Sequence, residues 1–144
     1  MPTLTIDGKE VTVEKGTNLI QAARKIGIEI PHYCYHPGLS VVGSCRMCQV
    51  EVEKAPKLQI ACFTAAADGM AVHTKSEKVL KARQAVLEFL LINHPLDCPV
   101  CDQAGECWLQ IYYMQHGLYE SRFQENKVKK RKAIPIGPHV NLDS

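Results

Sequence analysis

The segment HPLDCPVCDQAGEC, residues 94–107, sets three cysteines and a histidine in one short stretch just after an apolar run. A second group lies upstream, in CYHPGLSVVGSCRMC and the later ACFT. Seven cysteines is an odd number, so complete internal pairing into disulfides is impossible. MPTLTIDGKE has neither the basic start nor the apolar stretch of a secretory leader. The expected compartment is therefore reducing, where disulfides are rare. Cys34, Cys45, Cys48 and Cys62 form a set of four, and Cys98, Cys101 and Cys107 form a set of three with His94 beside it. These are the donor sets of two four-ligand metal centres. The plain alternative is free cysteines buried as small hydrophobes. It does not explain their concentration in loops beside glycine, proline and aspartate.

In the first set the intervening gaps are ten, two and thirteen residues. The two-residue gap lets Cys45 and Cys48 reach one centre from a single tight loop, with Gly43 and Ser44 supplying the turn. Cys34 stands at the start of that loop and Cys62 is expected on a neighbouring strand. Soft thiolates from one long loop and one distant strand suit a [2Fe–2S] cluster wrapped by backbone. Structural zinc is the alternative, but zinc usually takes two short ligand pairs and only one is present. His32 and His36 flank Cys34 and read as exposed loop histidines, with a supporting hydrogen-bond role as the alternative. Arg46 either stabilises a reduced, more negative cluster or is an ordinary surface arginine; Met47 shares its loop.

In the second set the gaps are three, two and five residues. Three clustered thiolates can hold three irons of a [4Fe–4S] cube. His94, just past a helix end, can fold its imidazole over the loop to the fourth. Pro95 and Pro99 stiffen that loop, and Gly105 permits close backbone approach. Two alternatives stand on the residues alone. His94 can simply favour the helix dipole, with Asp97 or water in the fourth position. Zinc also accepts three thiolates and one imidazole. Trp108, directly after Cys107, reads as shielding and core.

The elements that must position these residues follow from pattern. TLTI and EVTVEK around Asp7-Gly8-Lys9 predict a hairpin. Thr17 or Asn18 caps a helix with Leu19, Ile20, Ala22, Ala23 and Ile26 on one face, ended by Gly27. Strands are expected over 48–53, in LQIACF and over 71–74. Hairpin, helix and further strands give an α+β, β-grasp-like order. TKSE predicts a capping box with Thr74 as N-cap and Glu77 as its partner. It opens a helix with Val79, Leu80, Val86, Leu87, Leu90 and Leu91 at helical spacing, ended by Pro95 after His94. WLQIYYMQHG is a second helix closed by Gly117. The expected division is 1–76, 77–118 and an extended basic tail, 119–144. The helical unit has a small core and needs a cross-link, which a metal centre supplies.

Composition excludes several functions. Hydrophobic content is 46%, charged content 22% and net charge +2, too small by itself to argue for nucleic acid. The run KVKKRK has acidic residues nearby and no interleaved aromatics, so it reads as a solvated or docking tail. The most apolar stretch, VLEFLLI, is too short to span a bilayer, so a soluble protein with only indirect membrane association is expected. No dinucleotide or P-loop fingerprint is present.

Taken together, CYHPGLSVVGSCRMCQVEVE, ACFT and NHPLDCPVCDQAGEC closely resemble the N-terminal region of the large iron–sulfur subunit of respiratory complex I, the NADH:quinone oxidoreductase. The resemblance extends from TLTIDGKEVTV to PIGPHVN. A similar module occurs in NAD-linked hydrogenases and formate dehydrogenases. The resemblance implies a ferredoxin-like β-grasp domain whose [2Fe–2S] ligands are Cys34, Cys45, Cys48 and Cys62. It implies a small helical domain whose [4Fe–4S] ligands are His94, Cys98, Cys101 and Cys107. It further implies an electron carrier, not catalytic alone, that relays single electrons from a flavin- and NADH-binding subunit toward quinone. Its partners would be that subunit and other peripheral-arm subunits, at the cytoplasmic face of the cell membrane or the matrix side in a mitochondrion. Electron input to a hydrogenase or formate dehydrogenase is the alternative within this class, and a zinc-stabilised interaction module the alternative outside it. The family continues into a further four-cysteine cluster motif and a molybdopterin-oxidoreductase-like domain, neither contained in this sequence.

Overall fold

A computed structural model describes residues 1–128 and 133–143. The first half is a mixed sheet crossed by one helix. Strands β1 (Thr3–Ile6) and β2 (Lys9–Thr12) pair antiparallel with Leu4 opposite Val11. Asp7 and Gly8 form the two-residue turn, both at positive φ (47° and 80°). This left-handed pair matches the twist of the flanking strands. Helix α1 (Leu19–Lys25) is capped by Asn18, whose side-chain oxygen accepts from the Gln21 N–H at 2.9 Å. Strands β3 (Gln49–Val52), β4 (Gln59–Ile60) and β5 (Ala71–His73) complete a sheet ordered β2-β1-β5-β3-β4. The β1–β5 pairing is parallel, with Thr5 opposite Ala71; the other pairings are antiparallel.

Alternation along β1 turns Leu4 and Ile6 inward, where they meet Leu19, Ile20, Ala22 and Ala23 of α1, with Val50 and Val72. The face expected from helical spacing is the buried one, although Ile26 is only partly covered.

The second half contains α2 (Glu77–Leu91), a 3-10 turn at Cys98–Val100 and α3 (Trp108–His116). Its core is Met47, Leu87 and Tyr112, packed by Tyr33, Cys45, Val86, Leu109 and Ile111. Met47, Tyr33 and Cys45 belong to the first half. The helical unit therefore borrows its core from the cysteine loop upstream, which answers the expectation that its own core is too small.

Three expectations are corrected here. The N-cap of α2 is Ser76, accepting from the Val79 N–H, and not Thr74. Thr74 is instead held by Asp7, whose carboxylate accepts both its N–H (2.7 Å) and its hydroxyl. The helix ends at Leu91, before His94 and Pro95. There Lys127 Nζ donates to the main-chain oxygens of Leu91 (2.9 Å) and His94 (2.8 Å). A cation is favoured at that end by the helix dipole. The tail is not simply extended: β6 (Ala133–Pro135) and β7 (Asn141–Asp143) form an antiparallel pair with Ile134 opposite Leu142. Gly137-Pro138 between them supplies turn chemistry. Arg122 pairs with Glu88 of α2. Of the basic run, residues 129–132 lie outside the described residues. Among the described residues, no helix is long and apolar enough to cross a membrane.

Candidate metal centres

Residues 28–48 are loop with little regular structure, starting after α1 and ending where β3 begins. Gly43 (φ 67°) and Arg46 (φ 58°) adopt left-handed conformations that tighten this loop around Cys45 and Cys48. The Cys45 main-chain N–H donates to Cys34 Sγ at 3.5 Å. Burial works against the Cys34 thiolate, but hydrogen bonds from Cys45 and Ser44 outweigh it and bring the thiol down to about 7. Cys62 arrives by main-chain pairing, because Ala61 donates its N–H to the Cys48 oxygen at 3.0 Å. Cys48 and Cys62 are 1% and 2% exposed, while Cys34 and Cys45 are half-buried. Burial pushes the Cys62 thiol up to about 12, helped by a hydrogen bond with Cys48 and the charges of Cys48, Cys34 and Cys45. Four sulfurs from three separate segments thus share one electrostatic neighbourhood. One placement differs from expectation. Cys62 lies in the turn after β4, where Phe63 and Thr64 both donate their N–H to Ile60, and not on the strand.

The second set sits on a compact run of turns. Cys101 donates its N–H to the Cys98 oxygen (3.2 Å), and Ala104 to that of Cys101 (3.1 Å). Gly105 takes φ 91°, and its N–H is held by Gln110 Oε1 at 2.8 Å. Cys107 is the N-cap of α3. Cys98 and Cys107 are half-buried, whereas Cys101 and His94 are exposed. The main-chain oxygen of His94 is fixed by Lys127, and that of Asp97 accepts from Val100. Among the described residues, no three Cys, His, Asp or Glu side chains converge on a single metal ion. Ligands of a polynuclear cluster spread over several irons, so the donor chemistry, four thiols shared by the loop 28–48 and the turn after β4 and three on the second run of turns, fits iron–sulfur clusters.

The space between the sets is aromatic. Tyr33, next to Cys34, meets Tyr112 of α3, and burial holds its phenol well above the ordinary range, helped by Tyr112, Cys107 and Cys45. Its hydroxyl is buried and, among the described residues, has no hydrogen-bond partner. Trp108 stacks obliquely on Tyr112 at 5.3 Å but is 54% exposed, so it shields without being core. His32 is less free than expected: its Nδ1 lies 2.7 Å from the Ile30 oxygen and its Nε2 3.1 Å from Arg24. His36 is exposed, with Nδ1 accepting from the Gly38 N–H. Arg46 is exposed, and Met47 is fully buried. The sequence reading missed Arg83, a buried charge 2% exposed, whose Nη2 donates to the Gln49 oxygen at 3.3 Å. The signal was available, since Arg83 falls midway between Val79 and Leu87 on the inward stripe of α2.

An α+β fold that gathers cysteines into two sets, one on loops of the sheet and one between helices, is the layout of an iron–sulfur protein. The chain belongs to the family described as the 2Fe-2S iron-sulfur cluster binding domain, whose model matches residues 1–77. Residues 83–122 match the NADH-ubiquinone oxidoreductase-G iron-sulfur binding region. The chain thus carries the binding regions of a [2Fe–2S] and a [4Fe–4S] cluster. It is 54% identical over 137 residues to the NADH-quinone oxidoreductase G subunit of Rickettsia bellii, covering 95% of this chain and 20% of that protein. It is 50% identical over 140 residues to the mitochondrial NADH-ubiquinone oxidoreductase 78 kDa subunit of Candida albicans, covering 95% of this chain and 19% of that one. The chain spans about a fifth of the length of the curated relatives it matches. A solved NAD+-reducing [NiFe]-hydrogenase in its H2-reduced state superposes with a TM-score of 0.80 at 34% identity, over 90% of this chain and 55% of that chain.

Proposed function

We propose that this chain is an electron-relay segment of an NADH:quinone oxidoreductase. Cys34, Cys45, Cys48 and Cys62 hold its [2Fe–2S] cluster in a ferredoxin-like β-grasp domain, residues 1–76. His94, Cys98, Cys101 and Cys107 hold its [4Fe–4S] cluster in a helical domain, residues 77–118, followed by the tail 119–144. When bound, the clusters supply one-electron chemistry. Of the chain's own residues, Cys45 donates its main-chain N–H to Cys34 Sγ, and the burial of Cys48 and Cys62 keeps water from the first site. The partners are a flavin- and NADH-binding subunit and other peripheral-arm subunits, on the cytoplasmic or matrix side of the membrane.

The observation that carries this reading is the shared core. Tyr33, Cys45 and Met47 of the first loop pack directly against Leu87 and Tyr112 of the helical half. Two cluster sites fused through one core are held at a fixed separation, as a relay requires. The hydrogenase likeness favours a second reading, electron input to an NAD-linked hydrogenase.

The test is anaerobic purification, with iron, zinc and acid-labile sulfide quantified and EPR recorded after dithionite reduction. Two signals are expected. Cys48→Ser should abolish one, and Cys101→Ser and His94→Ala should alter the other. Stoichiometric zinc without sulfide would replace this reading by a zinc-stabilised interaction module.

A further inference from the structure

Arg83 is a cation placed where a cation is costly. It projects from the middle of α2 into the junction with the sheet and is 2% exposed. Its Nη2 donates to the main-chain oxygen of Gln49, the residue after Cys48. Among the described residues, its Nε has no hydrogen-bond partner. Among the described residues, no carboxylate lies within ion-pair distance of it. Asp7 is the carboxylate whose charge acts on it, and Asp7 is already engaged by Thr74. His116 and Lys75 line the same cavity as Arg83, and burial together with the Arg83 charge disfavours the His116 imidazolium.

A guanidinium removed from water needs a counter-charge. A thiolate-ligated [2Fe–2S] core is net negative in both oxidation states and one unit more negative when reduced. We propose that Arg83 is the buried counter-ion of the [2Fe–2S] cluster, and that it raises the cluster's reduction potential by stabilising the reduced state. This rests on the assignment of Cys48 as a ligand. The geometry also gives Arg83 a place in the architecture, because it reaches from the helical half to the first residue of β3, directly after the ligand loop. Its charge is therefore positioned by the packing that joins the two halves.

The sign is fixed by charge. At an effective dielectric of about 20, a unit charge roughly 10 Å away changes the ratio of reduced to oxidised cluster by about tenfold. For a one-electron couple, tenfold is about 59 mV. The purified complex carrying Arg83→Met or Arg83→Lys is titrated potentiometrically, with EPR following each cluster. Arg83→Met should lower the [2Fe–2S] potential by about that amount with its signal shape retained, and should move the [4Fe–4S] potential less. Arg83→Lys, which keeps a charge but not the guanidinium fork, should stay near the wild-type potential. An intact [2Fe–2S] signal with an unmoved potential in Arg83→Met overturns the proposal while leaving the ligand assignment standing. Loss of the cluster in both variants assigns Arg83 to folding alone and overturns it too. A [2Fe–2S] signal that survives Cys48→Ser overturns the ligand assignment on which it rests.

Discussion

The ring of Tyr33 meets the ring of Tyr112 edge-on, with centroids 5.3 Å apart and planes at 64°. One tyrosine precedes the first cysteine of the sheet half, and the other lies on the helix that begins at the last cysteine of the helical half. Edge-to-face contact lets the positive rim of one ring meet the negative face of the other. The Tyr112 hydroxyl also accepts the His32 N–H at 3.4 Å, so α3 is tied to the main chain just before Cys34.

Tyr112 should accordingly be the most sensitive of the residues joining the halves. Tyr112→Phe keeps the ring and loses only the contact with His32, for a cost of about 1 kcal/mol. Tyr112→Ala empties the centre of the smaller core and should cost about 3–5 kcal/mol. Urea unfolding of the two variants should show that separation, and equal effects would mean that the hydroxyl, not the packing, carries the junction.

Thr74 is held by Asp7 across the sheet, next to the point where the chain leaves β5 for α2. Thr74→Val preserves shape but removes the hydroxyl that donates to the carboxylate. The expected loss is about 1–2 kcal/mol, since hydrogen bonds to charged groups exceed neutral ones. Ser76→Ala removes the true N-cap of α2 and should cost about 1 kcal/mol. If Thr74 were the cap, as the TKSE pattern suggested, Ser76→Ala would be silent in thermal unfolding.

That case shows where local pattern stops being informative. Hydrophobic periodicity locates β1, α1 and α2, because each must bury one face and the face is written in residue spacing. The cysteine gaps separated the two candidate sites for a related reason: a two-residue gap constrains which sulfurs can share a loop. Thr74 was misread because TKSE satisfies a capping box locally, whereas its actual partner, Asp7, lies 67 residues away. Cys62 was placed on a strand because LQIACF has strand-like composition, but the ladder stops at Ile60. Arg83 was overlooked because an arginine within an apolar stripe looks like an interruption until the tertiary structure closes over it. The β6–β7 pair was hidden by short strands, whose pairing depends on turn geometry more than on periodicity.

In the chain without its clusters, the sulfurs of the first set should differ sharply in reactivity. Cys34, brought down to about 7 from an ordinary 9.0, is half thiolate near neutrality, whereas Cys62, pushed up to about 12, stays protonated. Since the thiolate is the nucleophile, iodoacetamide should label Cys34 well ahead of Cys62 at pH 8, and Cys34 labelling should fall as pH drops through 7. The linkage has a definite sign. The folded state binds the Cys34 proton more weakly than the unfolded state does. That contribution to stability is fully present above about pH 9 and is lost as pH falls through 7. Mass spectrometry of labelled peptides across that range checks the order, and preferential labelling of Cys62 would contradict it.

Lys127 offers a test confined to the second centre. Its ammonium bridges the main-chain oxygens of Leu91 and His94, closing the end of α2 and fixing the backbone that presents the His94 side chain. Val128 adds to this by donating its N–H to Asn93 Oδ1 at 3.0 Å. Lys127→Met keeps most of the aliphatic stem but removes both donors, for a stability cost of about 1 kcal/mol. The larger effect should be local, because His94 would then be presented by an untethered loop. EPR of the purified complex should show a broadened or depleted [4Fe–4S] signal beside an unchanged [2Fe–2S] signal. The effect should resemble that of His94→Ala in kind but be weaker in degree, because the imidazole is still present. An unaltered [4Fe–4S] signal in Lys127→Met, alongside an altered one in His94→Ala, would show that the proline-stiffened loop orients the histidine without this tether.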